Sequence, residues 1–322
     1  YLKSSGVIVD PILPTQNKAW YGTLSGFTGW HTNTETAADN TLVGNFADLV
    51  LSGNYIILAS KTDISIHTND INMTTVFTIS DYIENVNFEN INNISLDSKG
   101  RLYVSDANFI YKFNIDIFYA RAYCLNKFPI SNIRKKYHKN ITSIHFNSND
   151  ELIVVDSSYG DVTVYDKNLN IKIRTSDGLA DLVPLAAFSK DDYTYVFTED
   201  RKLIKYDSQY FPQETVSLSS DISSSETIVK VRSNEGDNIV YVVTNNNLYK
   251  YLYENGTLTL ITGLTDFNRD SLNGDSFVGV AYDSDYNLYL LEDNQLNAFD
   301  VRNTTTSQVN AQTFPWEAKD LT

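Results

Sequence analysis

The sequence predicts an all-β protein with a β-propeller fold, with six blades of four antiparallel strands as the first choice and seven blades as the alternative. Three observations predict this fold. A unit made of an apolar segment, a polar turn and a second apolar segment occurs six times along the 322 residues. The units follow one another at a nearly constant spacing, which is typical of repeat architectures. No long stretch shows the 3.6-residue period of an amphipathic helix.

The second apolar segment of each unit sets the spacing. Its most regular copy is "LYVSD" at 102–106, and the other copies are "IILAS" at 56–60, "LIVVD" at 152–156, "TYVFT" at 194–198, "VYVVT" at 240–244 and "LYLLE" at 288–292. The residues at the same place in these copies are separated by 46, 50, 42, 46 and 48 positions; they are Ile57, Tyr103, Ile153, Tyr195, Tyr241 and Tyr289. A period of this length matches the four-stranded blade of a propeller.

Each unit also has predicted strands on either side of this segment. An apolar strand that ends in a polar turn precedes it, as in "ISLDSKG" at 94–100, and an alternating strand follows it, as in "FIYKFN" at 109–114. A fourth strand is fainter, as in "TTVFTIS" at 74–80 and "TLTLITG" at 257–263. A single blade cannot bury both of its faces, so we expect the blades to stack radially.

The repeat divides the chain into three parts. Residues 46–302 hold the six units and are predicted to form the propeller. Residues 1–45 are predicted to be an N-terminal extension that closes the ring or docks to another protein, and residues 303–322 to be a closing strand or tail. Six blades are preferred to seven because no copy of the second segment occurs before Ile57.

Composition excludes some classes of function. The formal net charge of −15 and the pI near 4.6 argue against nucleic acid as a partner. A single cysteine, Cys124, excludes an internal disulfide, and its neighbours Tyr123 and Leu125 predict that it is a small buried side chain. No run of 18 apolar residues exists, so no membrane span is predicted. We expect a virion or extracellular location rather than that of a cytoplasmic enzyme.

The segment "LDSKGRLYVSD" at 96–106 resembles the NHL-type propeller repeat, in which D-x-x-G is followed by I/L-Y-V-[ST]-[DE]. The units "FNSNDELIVVD" and "YDSDYNLYLLE" keep the strands and the polar turn but lose the glycine. The resemblance implies a propeller and a binding surface. In their degenerate units and composition, the repeats also look like propeller domains of phage virion and tail structural proteins.

A calcium site is the first chemical alternative. Six-bladed propellers related to lactonases hold calcium in the channel with Glu, Asn and Asp, and oxygen ligands suit this ion. The candidates here are Asp266, Asn268 and Asp270, although Ser271 replaces the glycine of a calcium loop and Phe277 its last acidic ligand. Turn residues such as Asp97, Asn147, Asp191 and Asp283 are expected to cap the turn backbone instead.

Nucleophilic catalysis has no support in the sequence. No G-x-S-x-G elbow occurs, and the four histidines are scattered without metal-ligand spacing. His67 and His145 fall in predicted strands, where we expect packed or edge residues rather than bases. We therefore predict no enzymatic activity and no cofactor, with calcium as the alternative.

The N-terminal segment "WYGTLSGFTGW" at 20–30 interleaves aromatic residues with glycine outside the repeat. Aromatic side chains supply large contact areas at protein interfaces. Trp20, Tyr21, Phe27 and Trp30 are therefore candidate interaction residues, either covering the propeller or docking to a neighbouring subunit.

The preferred function is a non-enzymatic structural or protein-interaction module, a component of a larger assembly such as a phage virion or tail. Its partners would be other protein subunits of the assembly. Two rivals stay open: a calcium-dependent lactonase or hydrolase, and a glycan-binding, lectin-like propeller that uses exposed Tyr and Trp.

Overall fold

The structure is a computed structural model that describes residues 2–3, 6–7, 45–68, 75–79, 86–130, 137–233, 238–261, 277–282, 287–292 and 296–300. All of its regular structure in these ranges is β-strand. In the same ranges no helix has the length and apolar character needed to cross a membrane.

The first three sheets of the ring have four strands each. Sheet 1 contains β3 (Phe46–Ser52), β4 (Tyr55–Ser60), β5 (Ile64–Thr68) and β6 (Thr75–Thr78). Sheet 2 contains β7 (Asn93–Leu96), β8 (Leu102–Ser105), β9 (Phe109–Asp116) and β10 (Arg121–Pro129). Sheet 3 contains β11 (Ile141–Phe146), β12 (Leu152–Asp156), β13 (Asp161–Tyr165) and β14 (Ile171–Thr175).

Two more four-stranded sheets and one three-stranded sheet follow. Sheet 4 contains β15 (Pro184–Lys190), β16 (Tyr193–Thr198), β17 (Lys202–Tyr206) and β18 (Pro212–Ser217). Sheet 5 contains β19 (Ile228–Ser233), β20 (Ile239–Thr244), β21 (Leu248–Glu254) and β22 (Thr257–Leu260). Sheet 6 contains β23 (Phe277–Tyr282), β24 (Asn287–Glu292) and β25 (Leu296–Asp300). Near the N-terminus, β1 (Leu2–Lys3) pairs with β2 (Gly6–Val7).

Within each of the six sheets the strands pair antiparallel in chain order. The first strands contact one another in a closed cycle, from β3 through β7, β11, β15, β19 and β23 back to β3. The first strand of each sheet therefore lies on the inside, around a central channel, and the last described strand lies on the outside. This is a β-propeller, as the repeat predicts. The described residues give five complete four-stranded blades and a sixth sheet of three strands.

The second strand of each sheet forms the core, because its side chains are covered on both faces by the neighbouring sheets. The repeat tyrosines Tyr103, Tyr195, Tyr241 and Tyr289 are buried. By contrast, every residue of the outer strand β18 is exposed. The gradient from inside to outside explains why the sequence signal is clear for the second strand and faint for the fourth.

In sheets 2 and 3 the turn between the first and second strands is capped by a side chain, as expected for Asp97 and Asn147. Asp97 Oδ1 accepts the backbone N–H groups of Lys99 and Arg101, and Asn147 Oδ1 accepts those of Asn149 and Glu151. Gly100 has a positive φ of 72° in the first turn, and Asp150 takes the same place in the second at 58°. Asp tolerates the left-handed region better than most residues, so the unit can lose its glycine without losing its turn.

The prediction for Cys124 is wrong, because its side chain is exposed. It lies in β10, the outer edge strand of sheet 2, where the flanking Tyr123 and Leu125 are also exposed. The apolar neighbours suggested a core position, but an edge strand has no further sheet to cover them.

Candidate functional site

The central channel contains a cluster of polar side chains from the inner strands. Asp48 comes from β3, Asn93 from β7, and Lys230 and Arg232 from β19. Asp48, Asn93 and Lys230 are buried, while the Arg232 side chain is 17% exposed. Buried charges require partners, because desolvation disfavours an isolated ion. We call these four residues the channel cluster.

Asp48 is the centre of the channel cluster. Its carboxylate accepts the backbone N–H groups of Leu49 at 2.9 Å and Ile94 at 3.0 Å. Arg232 Nη2 lies 2.9 Å from both carboxylate oxygens, and Lys230 Nζ lies 3.1 Å from Oδ2. One carboxylate is thereby bonded to three of the six sheets.

Lys230 joins Asp48 to Asn93. Its Nζ donates to Asn93 Oδ1 at 2.7 Å, and the Asn93 amide group donates onward to the Ile141 carbonyl of sheet 3 at 3.4 Å. Burial lowers the pKa of Lys230 to about 8, although the Asp48 carboxylate opposes this shift. The channel cluster therefore links sheets 1, 2, 3 and 5 through hydrogen bonds across the axis.

The inner strands carry a repeated irregularity that helps to place these side chains. In five of the six inner strands the register shifts just before the channel-facing position, as between Phe46 and Asp48 and between Ile228 and Lys230. A bulge re-aims the side chain that follows it. In β23 the residue after the shift is Gly279, where an added Cβ would lie 2.9 Å from Leu49 Cδ2 and 3.3 Å from Asp48 Oδ1. The absence of a side chain there leaves room for Asp48.

A funnel opens from the channel cluster towards the turns between first and second strands. Its volume is about 510 Å³. Every sheet contributes to its wall, with Val50, Ser95, His145, Ser189, Arg232 and Ala281 as one residue from each. We call this cavity the axial funnel.

His145 is the one imidazole on the wall of the axial funnel among the described residues. Its Nε2 lies 2.9 Å from Ser189 Oγ, and its buried Nδ1 has no hydrogen-bond partner. Burial, assisted by the positive charge of Arg232, lowers the pKa of His145 to about 3. The ring is therefore neutral at physiological pH, and it lies in a strand as predicted.

A second buried histidine forms an Asp–His–Tyr arrangement in sheet 3. His138 Nε2 lies 2.6 Å from the Tyr165 hydroxyl, and its Nδ1 lies 3.5 Å from Asp156 Oδ2. All three side chains are buried, so a substrate has no access to them. Asp156 also accepts the backbone N–H of Lys139 at 2.6 Å. This arrangement fixes the segment that leads into β11 and is structural.

The channel cluster does not fit a calcium ion. The side-chain oxygens of the channel cluster are those of the Asp48 carboxylate and the Asn93 amide, and both groups accept a hydrogen bond from Lys230 Nζ. The ammonium group thus occupies the position that a metal cation would take between them. Elsewhere in the described ranges, no group of three or more His, Cys, Asp or Glu side chains is arranged to hold a metal.

The residues that the sequence singled out as sites are not among the described residues. Asp266, Asn268 and Asp270, and the aromatic residues Trp20, Tyr21, Phe27 and Trp30, lie outside the described residues. The turn position Asp283 also lies outside them. His67 is buried in β5, as expected for a packed strand residue.

Sequence reasoning missed the channel cluster. The available signal was a charged residue inside an otherwise apolar first strand, as in "FADLV" and "VKVRS". A buried charge in one strand predicts an opposite charge in another, but the pattern alone does not say which. The hydrogen-bonded partners Asp48 and Lys230 are 182 residues apart in the chain.

Comparisons with known proteins agree with the architecture. No protein-family model and no curated protein sequence matches the chain. A streptogramin B lyase structure aligns with a TM-score of 0.56 at 9% identity, over 80% of this chain and 93% of that chain. A chain from the crystal structure of the mitotic checkpoint complex aligns with a TM-score of 0.53 at 12% identity, over 80% of this chain and 76% of that chain. At such low identities the similarity concerns the fold alone, and the chain has the β-propeller fold.

Proposed function

We propose that the protein is a non-enzymatic structural and protein-interaction module. The observation that carries the proposal is the channel cluster. Propellers commonly bind small ligands on their axis, but here the oxygen ligands of the channel are bonded to Lys230 and Arg232 of the same chain. At the level of the channel cluster the axis holds sheets together, and we place the protein-binding surfaces elsewhere on the ring.

The histidines also support a non-catalytic role. His145 keeps a low pKa of about 3, so it would be a very weak base near neutral pH. His138 is buried against Asp156 and Tyr165 without access from solvent. His145 Nε2 does lie 2.9 Å from Ser189 Oγ, but an imidazole with so low a pKa would be a poor base for that hydroxyl group.

We further propose that the module belongs to a larger assembly of protein subunits, such as a phage virion or tail. The support is the degenerate repeat, the Asn-rich composition and the aromatic segment at 20–30 outside the repeat. One of the aligned structures, the mitotic checkpoint complex, is itself a complex, and this supports the proposal at the level of the fold.

Deletion of residues 1–45 tests the assembly proposal. The deleted protein should keep its thermal unfolding transition, because the first described strand of the ring begins at Phe46. It should be lost from the high-molecular-weight fraction in a density gradient of lysate from the native host. A folded deletion variant that sediments with the assembly as the full chain does would contradict a docking role for this segment.

The axial funnel favours a second candidate, a glycan-binding propeller. Its wall combines hydroxyl groups such as Ser95 and Ser189 with the aromatic residues Phe146 and Tyr282. Sugars are bound by this mixture of hydrogen-bonding and apolar groups. A glycan array probed with the full chain tests the idea, and binding that the Ser189→Trp variant abolishes would place the sugar in the axial funnel.

A further inference from the structure

The hairpin formed by β9 and β10 presents an unusual group of apolar side chains to solvent. Phe118 is 87% exposed, Tyr119 62%, Leu125 52% and Tyr123 45%. Eight large apolar side chains are exposed among the described residues, and these four fall within the eight residues 118–125. We call them the hairpin cluster. Exposed apolar side chains concentrated in one short segment mark an interaction site more often than scattered residues do.

Two members of the hairpin cluster, Phe118 and Tyr119, make local contacts. Phe118 and Tyr119 meet edge to face with ring centroids 4.9 Å apart, and Arg121 lies 5.5 Å from the Tyr119 ring. The Tyr119 backbone N–H donates to Asp116 Oδ1 at 3.1 Å. Aromatic side chains fixed in this way lose little conformational entropy on binding. The group is therefore suited to serve as an anchor in an interface.

The backbone edge of β10 is less suited to binding than its side chains. The strand has a register irregularity between Cys124 and Asn126, and it ends with Lys127 and Pro129. Bulges, lysines and prolines are the features that discourage one edge strand from pairing with another. The recognition is therefore expected to use the side chains, with the aromatic anchors entering an apolar pocket of a partner.

The charge around the hairpin cluster indicates the chemistry of that partner. Residues 116–130 carry two basic residues, Arg121 and Lys127, against one acidic residue, Asp116, whereas the whole chain has 25 basic and 40 acidic residues. Electrostatic complementarity favours a partner surface of negative charge. Two copies that joined symmetrically through this cluster would bring like charges together. An anionic membrane would be repelled by the net charge of −15.

We propose that the hairpin cluster docks into an apolar pocket rimmed by Asp and Glu on a different protein. The inference rests on the proposed function, since it names the surface and the kind of partner through which an interaction module would act. Docking through the hairpin cluster requires neither the N-terminal segment nor a channel without calcium. Its failure can therefore be distinguished from the failure of those two proposals.

Selection from a random 12-residue peptide library on the immobilised full chain tests the proposal. The selected peptides should be rich in Asp and Glu combined with apolar residues. Binding of a fluorescent selected peptide should weaken by about 10-fold or more in a Phe118→Ser/Tyr119→Ser variant, because buried aromatic anchors dominate interface energies. The charge reversal Arg121→Glu leaves the aromatic group in place and should also weaken binding, with a smaller loss in 0.5 M salt than in 0.05 M salt.

The matched control is Phe211→Ser/Val216→Ser. Phe211 and Val216 are 56% and 41% exposed beside and within β18, the outer strand of sheet 4. This control should change the peptide affinity by less than about 2-fold. Equal melting temperatures of all variants would show that the substitutions leave the fold intact.

Three results would overturn the proposal. The first is a selection that gives no acidic enrichment, or peptides whose binding ignores the hairpin variants. The second is a concentration-dependent dimer in sedimentation that Phe118→Ser/Tyr119→Ser dissolves, which would make a second copy the occupant. The third is hairpin-dependent pelleting with vesicles of 70% phosphatidylcholine and 30% phosphatidylserine, which would make the partner a membrane.

Discussion

Lys230 is the residue that most clearly separates this channel from a metal-binding one. It lies on β19, yet its amine reaches Asp48 on β3 and Asn93 on β7. A buried amine is costly to desolvate, and its presence is justified only where several acceptors surround it. Removal of the Lys230 amine alone is therefore expected to lower the free energy of unfolding substantially.

Replacing Lys230 with Met should lower the free energy of unfolding by about 3 kcal/mol, because Asp48 and Asn93 lose a donor while they stay buried. The matched control is Lys172→Met. Lys172 pairs with Glu151, but its side chain is 48% exposed, so the loss should be about 0–1 kcal/mol. Urea denaturation of both variants measures the two losses of unfolding free energy. Equal losses would show that the channel cluster stabilises the fold no more than the exposed Lys172–Glu151 pair does.

His145 should make the protein less stable in acid. Its pKa is about 3 in the folded state and near 6.5 when unfolded, so between these values the unfolded chain binds a proton that the native protein does not. Stability attributable to this group is complete above pH 6.5 and is lost as the pH falls towards 3. Between pH 7 and pH 4 the wild type should lose on the order of 1–3 kcal/mol more than His145→Gln. If urea denaturation showed the same loss of unfolding free energy in the wild type and in His145→Gln between pH 7 and pH 4, the low pKa of His145 would be contradicted.

At the scale of single residues the sequence predicts conformation better than partnership. Asp97 and Asn147 are predictable turn caps, because their role is local to four or five residues. The partnership of Asp48 with Lys230 depends on the closure of the whole ring and has no local signal. The prediction that Cys124 is buried is wrong for a similar reason, because the exposure of a side chain depends on which strand is outermost.

At the scale of strands, five of the six inner strands share a register shift, and a small residue follows the shift where neighbouring inner strands approach closely. Gly279 of β23 faces Leu49 and Asp48 of β3. Sheet 6 contacts sheet 1 at this point and so completes the ring.

Gly279→Ala should destabilise the protein by about 1–3 kcal/mol, because the added methyl group meets Leu49 Cδ2 at 2.9 Å. In a Leu49→Ala background the same substitution should cost less, since the neighbouring methyl group is gone. A double-mutant cycle measured by urea denaturation gives the coupling. A cost that is the same in both backgrounds would show that the two strands do not approach closely here.

The turns between second and third strands give a prediction about capping. Asp156 is buried and accepts the backbone N–H of Tyr159 within the turn and that of Lys139 in the segment before β11. Burial alone would raise the pKa of Asp156, but hydrogen bonds from His138, Lys139 and Tyr159 hold it at about 2. Asp156→Ala should therefore destabilise by about 2–4 kcal/mol.

Asp207→Ala is the control for this substitution. Asp207 caps a turn in the same way, with N–H groups donated by Gln209 and Phe211, but it is more exposed than Asp156. Its loss should be about 1 kcal/mol or less. A thermal unfolding comparison in which Asp207→Ala is the more damaging variant would contradict the account of the turns.

Strands were predictable in proportion to their burial. The apolar second strands are evident in the sequence, and the fainter segments at 74–80 and 257–263 correspond to β6 and β22. Outer strands such as β18, "PQETVS", carry no apolar alternation because neither face is covered. Their existence follows from backbone hydrogen bonding to β17, which leaves no mark on the side chains.

At the scale of the molecule, the repeat determined the architecture because every sheet needs the same neighbours. The closed cycle of inner strands follows from six similar sheets that cannot bury both faces alone. Function does not follow from the repeat, since the residues that differ between sheets are those that decide what the channel can hold. Lys230 in sheet 5 and Gly279 in sheet 6 are each the first residue after the register shift of their inner strand. The first supplies a cation to Asp48, and the second leaves room for its side chain.

We propose that Lys230 and Arg232, rather than a metal ion, balance the charge of Asp48 in the channel. Thermal unfolding of the full chain in 1 mM calcium chloride and in 1 mM EDTA distinguishes the two cases. We expect the same melting temperature in both, and a lower one for Lys230→Met that calcium does not restore. The same comparison in an Asp266→Asn variant removes the candidate calcium loop at 266–270. If EDTA still lowered the melting temperature of this variant by several degrees and calcium restored it, the proposal for the channel would be wrong.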